Sequence, residues 1–181
     1  MSQSLLERKW SKFFFQFDAD DSGFIEHDDF VLRGAQVAAA CGHATETPAA
    51  QAVTSGFQRV WESLVGNLDA DGDGRVSRDE FTGGMRAFAA EDRYQELFQP
   101  AIDALLAMGD ADGDGQLSRA EWLRLQAGYG TAESDAEYVF TLLDTDGSGY
   151  LTRDEISSAT RQYFTSTDPE APGNNLYGPL A

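Results

Sequence analysis

Asp110-Ala-Asp-Gly-Asp-Gly-Gln-Leu-Ser-Arg-Ala-Glu121 is a twelve-residue stretch in which oxygen-bearing side chains alternate with small residues. Asp110, Asp112 and Asp114 stand at positions 1, 3 and 5, so a tightly wound turn aims three carboxylates at one centre. Gly115 at position 6 permits the sharp bend that a Cβ would hinder. Gln116 at position 7 offers its backbone carbonyl, and Ser118 at position 9 a hydroxyl, used directly or through water. Glu121 at position 12 starts the next helix and can chelate with both oxygens. The set supplies about seven oxygens, which suits Ca²⁺; zinc and copper favour nitrogen and sulfur.

The same grammar reads twice more. Asp69–Glu80 carries Asp69, Asp71, Asp73, Gly74, the Arg75 carbonyl, Ser77 and Glu80. Asp144–Glu155 carries Asp144, Asp146, Ser148, Gly149, the Tyr150 carbonyl, Thr152 and Glu155. A charged turn facing water has no reason to keep Asp, Gly, aliphatic and Glu in fixed register three times. The remaining copy, Asp18–Asp29, offers Asp18, Asp20, Ser22, the Phe24 carbonyl, Glu26 and Asp29. Its position 12 is one methylene shorter than Glu and reaches an ion with one oxygen more readily than two. Six-fold coordination follows, which suits Mg²⁺ or weakens Ca²⁺, unless Glu26 compensates by coordinating directly. An empty, degenerate loop is the competing reading here.

Position 8 is aliphatic in every copy: Ile25, Val76, Leu117 and Leu151. That residue suits a short strand pairing two loops back to back. A large apolar residue follows position 12 each time: Phe30, Phe81, Trp122 and Ile156.

The chain of 181 residues is 41% apolar and 12% aromatic, enough for a real core. Its net charge of −18 comes from 31 acidic and 13 basic residues. Nucleic acid and anionic membrane would be repelled. Nineteen of the acids lie inside the four loops, so charge is concentrated where cations would sit. Four Ca²⁺ would bring the net to about −10. Without cations the loop carboxylates repel one another, so metal binding is expected to couple to folding.

One cysteine, Cys41, excludes an internal disulfide and reads as a buried or tolerated thiol. No basic-then-apolar leader opens the chain, and no apolar run approaches the ~20 residues of a membrane span. Cytoplasmic residence and a monomer are the default expectations.

Helical periodicity frames the loops. Residues 4–17 place Leu6, Trp10, Phe13, Phe14 and Phe17 on one face. Asp28 to about Cys41 forms the exiting helix. Thr47 and Pro48 read as the cap and first residue of a helix over 48–68. Gly83 and Gly84 predict a bend or fraying after the second loop, since each costs about 1 kcal/mol of propensity. Residues 91–98 add a turn or two, and Pro100 begins or kinks the next helix. Residues 119–127 form another, ending at Gly128-Tyr-Gly130; Thr131 is expected to cap the following helix. The last helix spans about Arg153 to Phe164. Residues 165–181 hold three prolines and cannot be regular helix, but Leu176, Tyr177 and Leu180 offer apolar pins. The tail is therefore expected to fold back over the core. The boundaries expected are 1–92 for an N-terminal pair, 93–164 for a C-terminal pair and 165–181 for the tail.

The loops begin at 18, 69, 110 and 144, so the first interval is the longest. Four helix–loop–helix units in about 180 residues, this long first interval, an aromatic first helix and a short tail resemble the sarcoplasmic calcium-binding proteins, with the bacterial calerythrin-like branch nearest. The resemblance covers nearly the whole chain. It implies an all-α fold in which four EF-hand units form two pairs packed into one compact globule. It also implies Ca²⁺ and Mg²⁺ buffering. Members of that branch often have a degenerate second loop, whereas Asp69–Glu80 is intact here; the number of sites therefore cannot be carried over.

Three functions compete. A calcium buffer or transporter, holding up to four Ca²⁺ with Mg²⁺ most expected at 18–29, fits the resemblance. A calcium sensor that exposes an apolar surface to a protein partner is the alternative. Sensors use Met-rich grooves, and this chain has only Met1, Met85 and Met108. A ligand carrier or calcium-triggered photoprotein would need polar groups around a pocket, yet His27 and His43 lie outside the core stripes and Trp10, Trp61 and Trp122 read as core. With two histidines, one cysteine and loop carboxylates committed to cations, no enzymatic chemistry is expected.

Overall fold

Side-chain caps start several of the helices. In a computed structural model, which describes residues 4–90 and 94–180, Ser4 accepts from the Glu7 amide and Glu7 accepts in return from the Ser4 amide. This capping box opens α1 (Leu5–Phe17). A two-residue strand β1 (Phe24–Ile25) leads to α2 (His27–Ala40), and Thr47 caps α3 (Pro48–Leu68) with Pro48 in its first turn. β2 (Val76–Ser77) precedes α4 (Arg78–Ala90), and α5 (Tyr94–Gly109) ends at the third loop. β3 (Leu117–Ser118), α6 (Arg119–Gly128), α7 (Glu133–Leu143), β4 (Tyr150–Leu151) and α8 (Arg153–Thr165) complete the repeat. The two small sheets are antiparallel: Ile25 faces Val76, and Leu117 faces Leu151. Four EF-hand-type units thus form two pairs, and all four position-8 residues are buried.

Three expectations change. α4 runs unbroken through Gly83 and Gly84. Gly84 answers to packing: a Cβ there would stand 2.0 Å from Leu68 Cδ2 of α3. Thr131 does not cap α7; Ala132 occupies the cap position, and Thr131 Oγ1 donates to Gln126 Oε1 at 2.9 Å instead. Pro100 lies inside α5, which begins before it at Tyr94; residues 91–93 of the expected extra turn lie outside the described residues.

Phe13 shows how the halves share one core. Its ring meets Phe17 at 4.2 Å, Phe81 at 5.7 Å, Phe164 at 5.1 Å and Tyr177 at 5.6 Å. Each such ring buried from water contributes about 1.5–3 kcal/mol. Trp10, Phe14, Phe30, Phe57, Trp61, Trp122 and Phe140 join the same contiguous cluster. α2 crosses α6 so closely that a Cβ on Gly128 would lie 2.5 Å from Val37 Cα.

The chain ends are tied together at one seam. Trp10 Nε1 donates to the Phe164 carbonyl at 3.1 Å, and the Tyr163 hydroxyl donates to the Lys9 carbonyl at 2.6 Å. Lys9 is fully buried, with its ammonium donating to the Gln162 and Ser166 carbonyls and to Asn174 Oδ1 at 2.8–2.9 Å. Burial pushes this ammonium down to about 8. The tail does fold back, through a 3-10 turn at Pro172–Asn175. Leu176 is buried, and the Tyr177 ring lies against Phe13, Tyr129 and Tyr163.

Candidate metal centres

One hydrogen-bond scheme builds all four loops. The position-6 amides of Gly23, Gly74, Gly115 and Gly149 donate to the position-1 carboxylates of Asp18, Asp69, Asp110 and Asp144 at 2.8–3.0 Å. These glycines hold φ of 81 to 86°, a region that L side chains rarely adopt. The position-5 group accepts from the position-7 amide: Ser22 from Phe24, Asp73 from Arg75, Asp114 from Gln116 and Ser148 from Tyr150. Asp20, Asp71, Asp112 and Asp146 at position 3 each accept from the position-5 amide.

The position-12 carboxylate closes the ring. One oxygen takes the position-2 amide and the other the position-9 amide: Asp29 with Ala19 and Glu26, Glu80 with Ala70 and Ser77, Glu121 with Ala111 and Ser118, Glu155 with Thr145 and Thr152. Asp29 thus fills the role of Glu despite its shorter arm. Ser77, Ser118 and Thr152 hydroxyls also bond their position-12 glutamates at 2.6–2.9 Å. Ser118 and Thr152 are helix N-caps in full capping boxes. The position-9 hydroxyls therefore anchor position 12. Their signal, S/T-x-x-E, stands in the sequence beside the ligand pattern and overlaps it.

Carboxylate oxygens converge in each loop. Asp18, Asp20 and Asp29, then Asp69, Asp71 and Asp73, then Asp110, Asp112 and Glu121, then Asp144, Asp146 and Glu155 each bring atoms within 4.8 Å of one another. Asp18, Asp29 and Glu121 are buried. Such oxygen-only clusters of like charge fit a hard divalent cation. In the first and fourth loops the Ser22 and Ser148 hydroxyls lie 3.3 and 3.1 Å from the Phe24 and Tyr150 carbonyls, bringing the position-5 and position-7 oxygens together.

The position-12 groups differ electrostatically. Burial pushes the Asp29 carboxyl up, and the nearby charges of Asp20 and Asp18 add to this, against the pull of the Glu26 and Ala19 amides. The Ser77 hydroxyl and the Ser77 and Ala70 amides hold Glu80 down at about 2. Burial pushes Glu121 and Glu155 up, but their hydroxyl and amide donors outweigh it and hold both below the ordinary range.

Two features escaped the sequence reading. Asp21, at position 4 of the first loop, has φ +57° where the other loops place Gly72, Gly113 and Gly147. Arg75, read above only for its carbonyl, also bonds Asp73 through its side chain. The Asp21 signal was available as the lone non-glycine at that position; nothing local revealed where the Arg75 guanidinium goes.

Away from the loops, an apolar cavity of about 70 Å³ lies between the halves, lined by Phe13, Phe57, Trp122, Tyr129 and Tyr177 among others. It is smaller than the ~150 Å³ cavity that accommodates benzene in an engineered core. Trp10, Trp61 and both histidines are outside its lining. Cys41 is half-buried, and burial pushes its thiol up.

Four such loops on paired helices define an EF-hand protein, and comparison with known proteins agrees. The EF-hand domain pair family matches residues 7–86 and, in a second form, 122–163; the EF hand family matches 102–126. A Streptomyces coelicolor calcium-binding protein, described as a structural basis for prokaryotic calcium-mediated regulation, is 35% identical with a TM-score of 0.80, covering 89% of this chain and 98% of its own. Calerythrin from Saccharopolyspora erythraea is 24% identical over 177 residues, covering 96% of this chain and all of calerythrin. The amphioxus sarcoplasmic calcium-binding protein shares the fold over the whole of both chains, with TM-score 0.75 and 19% identity. The chain belongs to the calerythrin-like sarcoplasmic calcium-binding proteins, an EF-hand family that binds calcium.

Proposed function

We propose that the protein is an intracellular calcium buffer or transporter whose halves stay closed when ions bind. The observation that carries this reading is the seam between α1, α8 and the tail. Lys9 and Trp10 of α1 are tied by five hydrogen bonds to α8, to Ser166 just beyond it and to Asn174 of the tail. A groove that opened on signal would have to break this seam or expose the shared aromatic core. Met85 and Met108 are both buried in that core and present no Met-rich surface.

In this reading the ions lie on the carboxylates and serines at positions 1, 3, 5 and 12, with Glu26 added in the first loop. The carbonyls of Phe24, Arg75, Gln116 and Tyr150 complete the sets. Up to four Ca²⁺ are held, with Mg²⁺ favoured at Asp18–Asp29, where position 12 is short. The functional units are the pairs within 1–92 and 93–164, with 165–181 as a strap. No helix among the described residues is long and apolar enough to cross a membrane; we place the protein in the cytoplasm as a monomer, a reading to which the acidic surface adds solubility.

A second reading is a calcium sensor with a protein partner. The Streptomyces coelicolor relative, tied to calcium-mediated regulation, favours it. Fluorescence of a hydrophobic dye separates the two. A buffer binds dye when metal-free and expels it on adding millimolar Mg²⁺ or Ca²⁺. New dye binding when Ca²⁺ is added over Mg²⁺ would replace the buffer reading with the sensor.

A further inference from the structure

Position 7 of an EF-hand loop lends its carbonyl to the ion and is otherwise free in side chain. Here the four residues are Phe24, Arg75, Gln116 and Tyr150, so one loop alone places a fixed positive charge at this point. The Arg75 side chain is not spread into solvent. Its Nη2 and Nε donate to Asp73 Oδ2 at 2.8 and 3.1 Å. Its Cζ lies 4.1 Å from the centre of the Phe24 ring, across the β1–β2 pair. Its Nε is also 3.8 Å from Glu26 Oε1 of the first loop. One guanidinium therefore sits between position 5 of the second loop and positions 7 and 9 of the first.

We propose that Arg75 is an internal counter-charge that a divalent cation must displace from Asp73 to fill the Asp69–Glu80 loop, with Glu26 of the first loop as the acceptor that receives it. The inference rests on the reading of these loops as cation sites. A cation sharing Asp73 repels the guanidinium, and the planar fork needs only about 1 Å of travel to reach hydrogen-bond distance from Glu26. The Phe24 ring supports the cation in both positions. Two consequences follow. The second loop binds more weakly than its intact ligand set implies. Filling it also draws Glu26 away from direct coordination in the first loop, so the two N-terminal loops oppose each other electrostatically even though their strands pair. The C-terminal pair has Gln116 and Tyr150 at these points and carries no such latch.

The position-6 glycine amides give one reporter per loop, because each donates directly to its position-1 carboxylate. We would follow the Gly23, Gly74, Gly115 and Gly149 amide resonances of the full chain during Ca²⁺ titration. Arg75→Gln is expected to tighten the Gly74 response roughly threefold to tenfold at low salt, as for an exposed pair meeting a doubly charged ion. Gly115 and Gly149 should stay within about twofold, and the gain should shrink in high salt. The transplant Gln116→Arg should weaken the Gly115 response by a similar factor, since Asp114 stands where Asp73 does. An unchanged or weakened Gly74 response in Arg75→Gln, with the wild type still responding there, overturns the latch and leaves the sites standing. A wild-type Gly74 amide that ignores Ca²⁺ while Gly115 responds overturns both the latch and the second loop as a site.

Discussion

The C-terminal loops and the first loop reach the same hydrogen-bond scheme from different side chains. Glu121 and Glu155 close their loops with long arms, and Gly113 and Gly147 turn the backbone at position 4. The first loop closes with Asp29 and turns with Asp21 at φ +57°. The comparison teaches that the amide-to-carboxylate ring sets the loop shape across differences in arm length, backbone strain and neighbouring charge. Asp29 accepts from both amides in a buried position, with its carboxyl pushed up.

The sharpest way to break this comparison is at position 12. Glu121→Gln removes a buried carboxylate charge while keeping the arm, and should weaken Ca²⁺ at the third loop roughly a hundredfold if that loop is a site as proposed. Asp29→Glu lengthens the arm and should strengthen Ca²⁺ over Mg²⁺ at the first loop by about tenfold. Isothermal titration of each variant checks both. A loss of affinity in Asp29→Glu would mean that the first loop is built around its short arm and that arm length is not what separates the loops.

The next test asks whether the seam, outside both pairs, is indifferent to them. Below about pH 8 Lys9 is protonated in the folded and the unfolded chain, and folding carries the cost of a desolvated ammonium. Above that pH the folded protein releases the proton while the unfolded chain keeps it to about 10.5. The unfolded state then binds more protons, so stability rises with pH in this window. Burial pushes the Cys41 thiol up, which opposes this rise at the upper end of the window, so the test is the difference: in denaturant melts from pH 7 to 9.5 the stability of the wild type should rise relative to that of Lys9→Met. Lys9→Met should also lower the melting temperature, because three buried oxygens lose their donor. Equal weakening of the four sites would fit a seam common to both pairs; weakening of one pair alone would tie the seam to that pair.

The smallest effect is expected at Asp21. A non-glycine residue in the left-handed region is strained, though Asp tolerates it better than most. Asp21→Gly should relieve this and stabilise the metal-free protein by about 0.5 kcal/mol, after the larger unfolded-state entropy of glycine is counted. That corresponds to a rise of about 1–2 °C in melting temperature. No rise would place the strain elsewhere than in the backbone of position 4.

Much of this protein was determined by its sequence within windows of twelve residues. The loop carboxylates, the bend glycines, the aliphatic residue at position 8 of each loop and the Thr47-Pro48 helix start all depend on neighbours a few positions apart, and spacing records such contacts. What only the tertiary structure decided joins residues far apart in the chain. Lys9 is not among the apolar residues that mark the inner face of the first helix, yet it is buried and meets Gln162 and Asn174 across more than 150 residues. Gly84 reads as a helix breaker, yet is the space that Leu68 fills. Thr131 reads as a cap, but Gln126 holds its hydroxyl. Arg75 reads as a carbonyl donor, but its charge is placed by the β1–β2 pairing. In each case local propensity named one role, and packing or pairing against a distant partner, worth more free energy than the propensity, selected another.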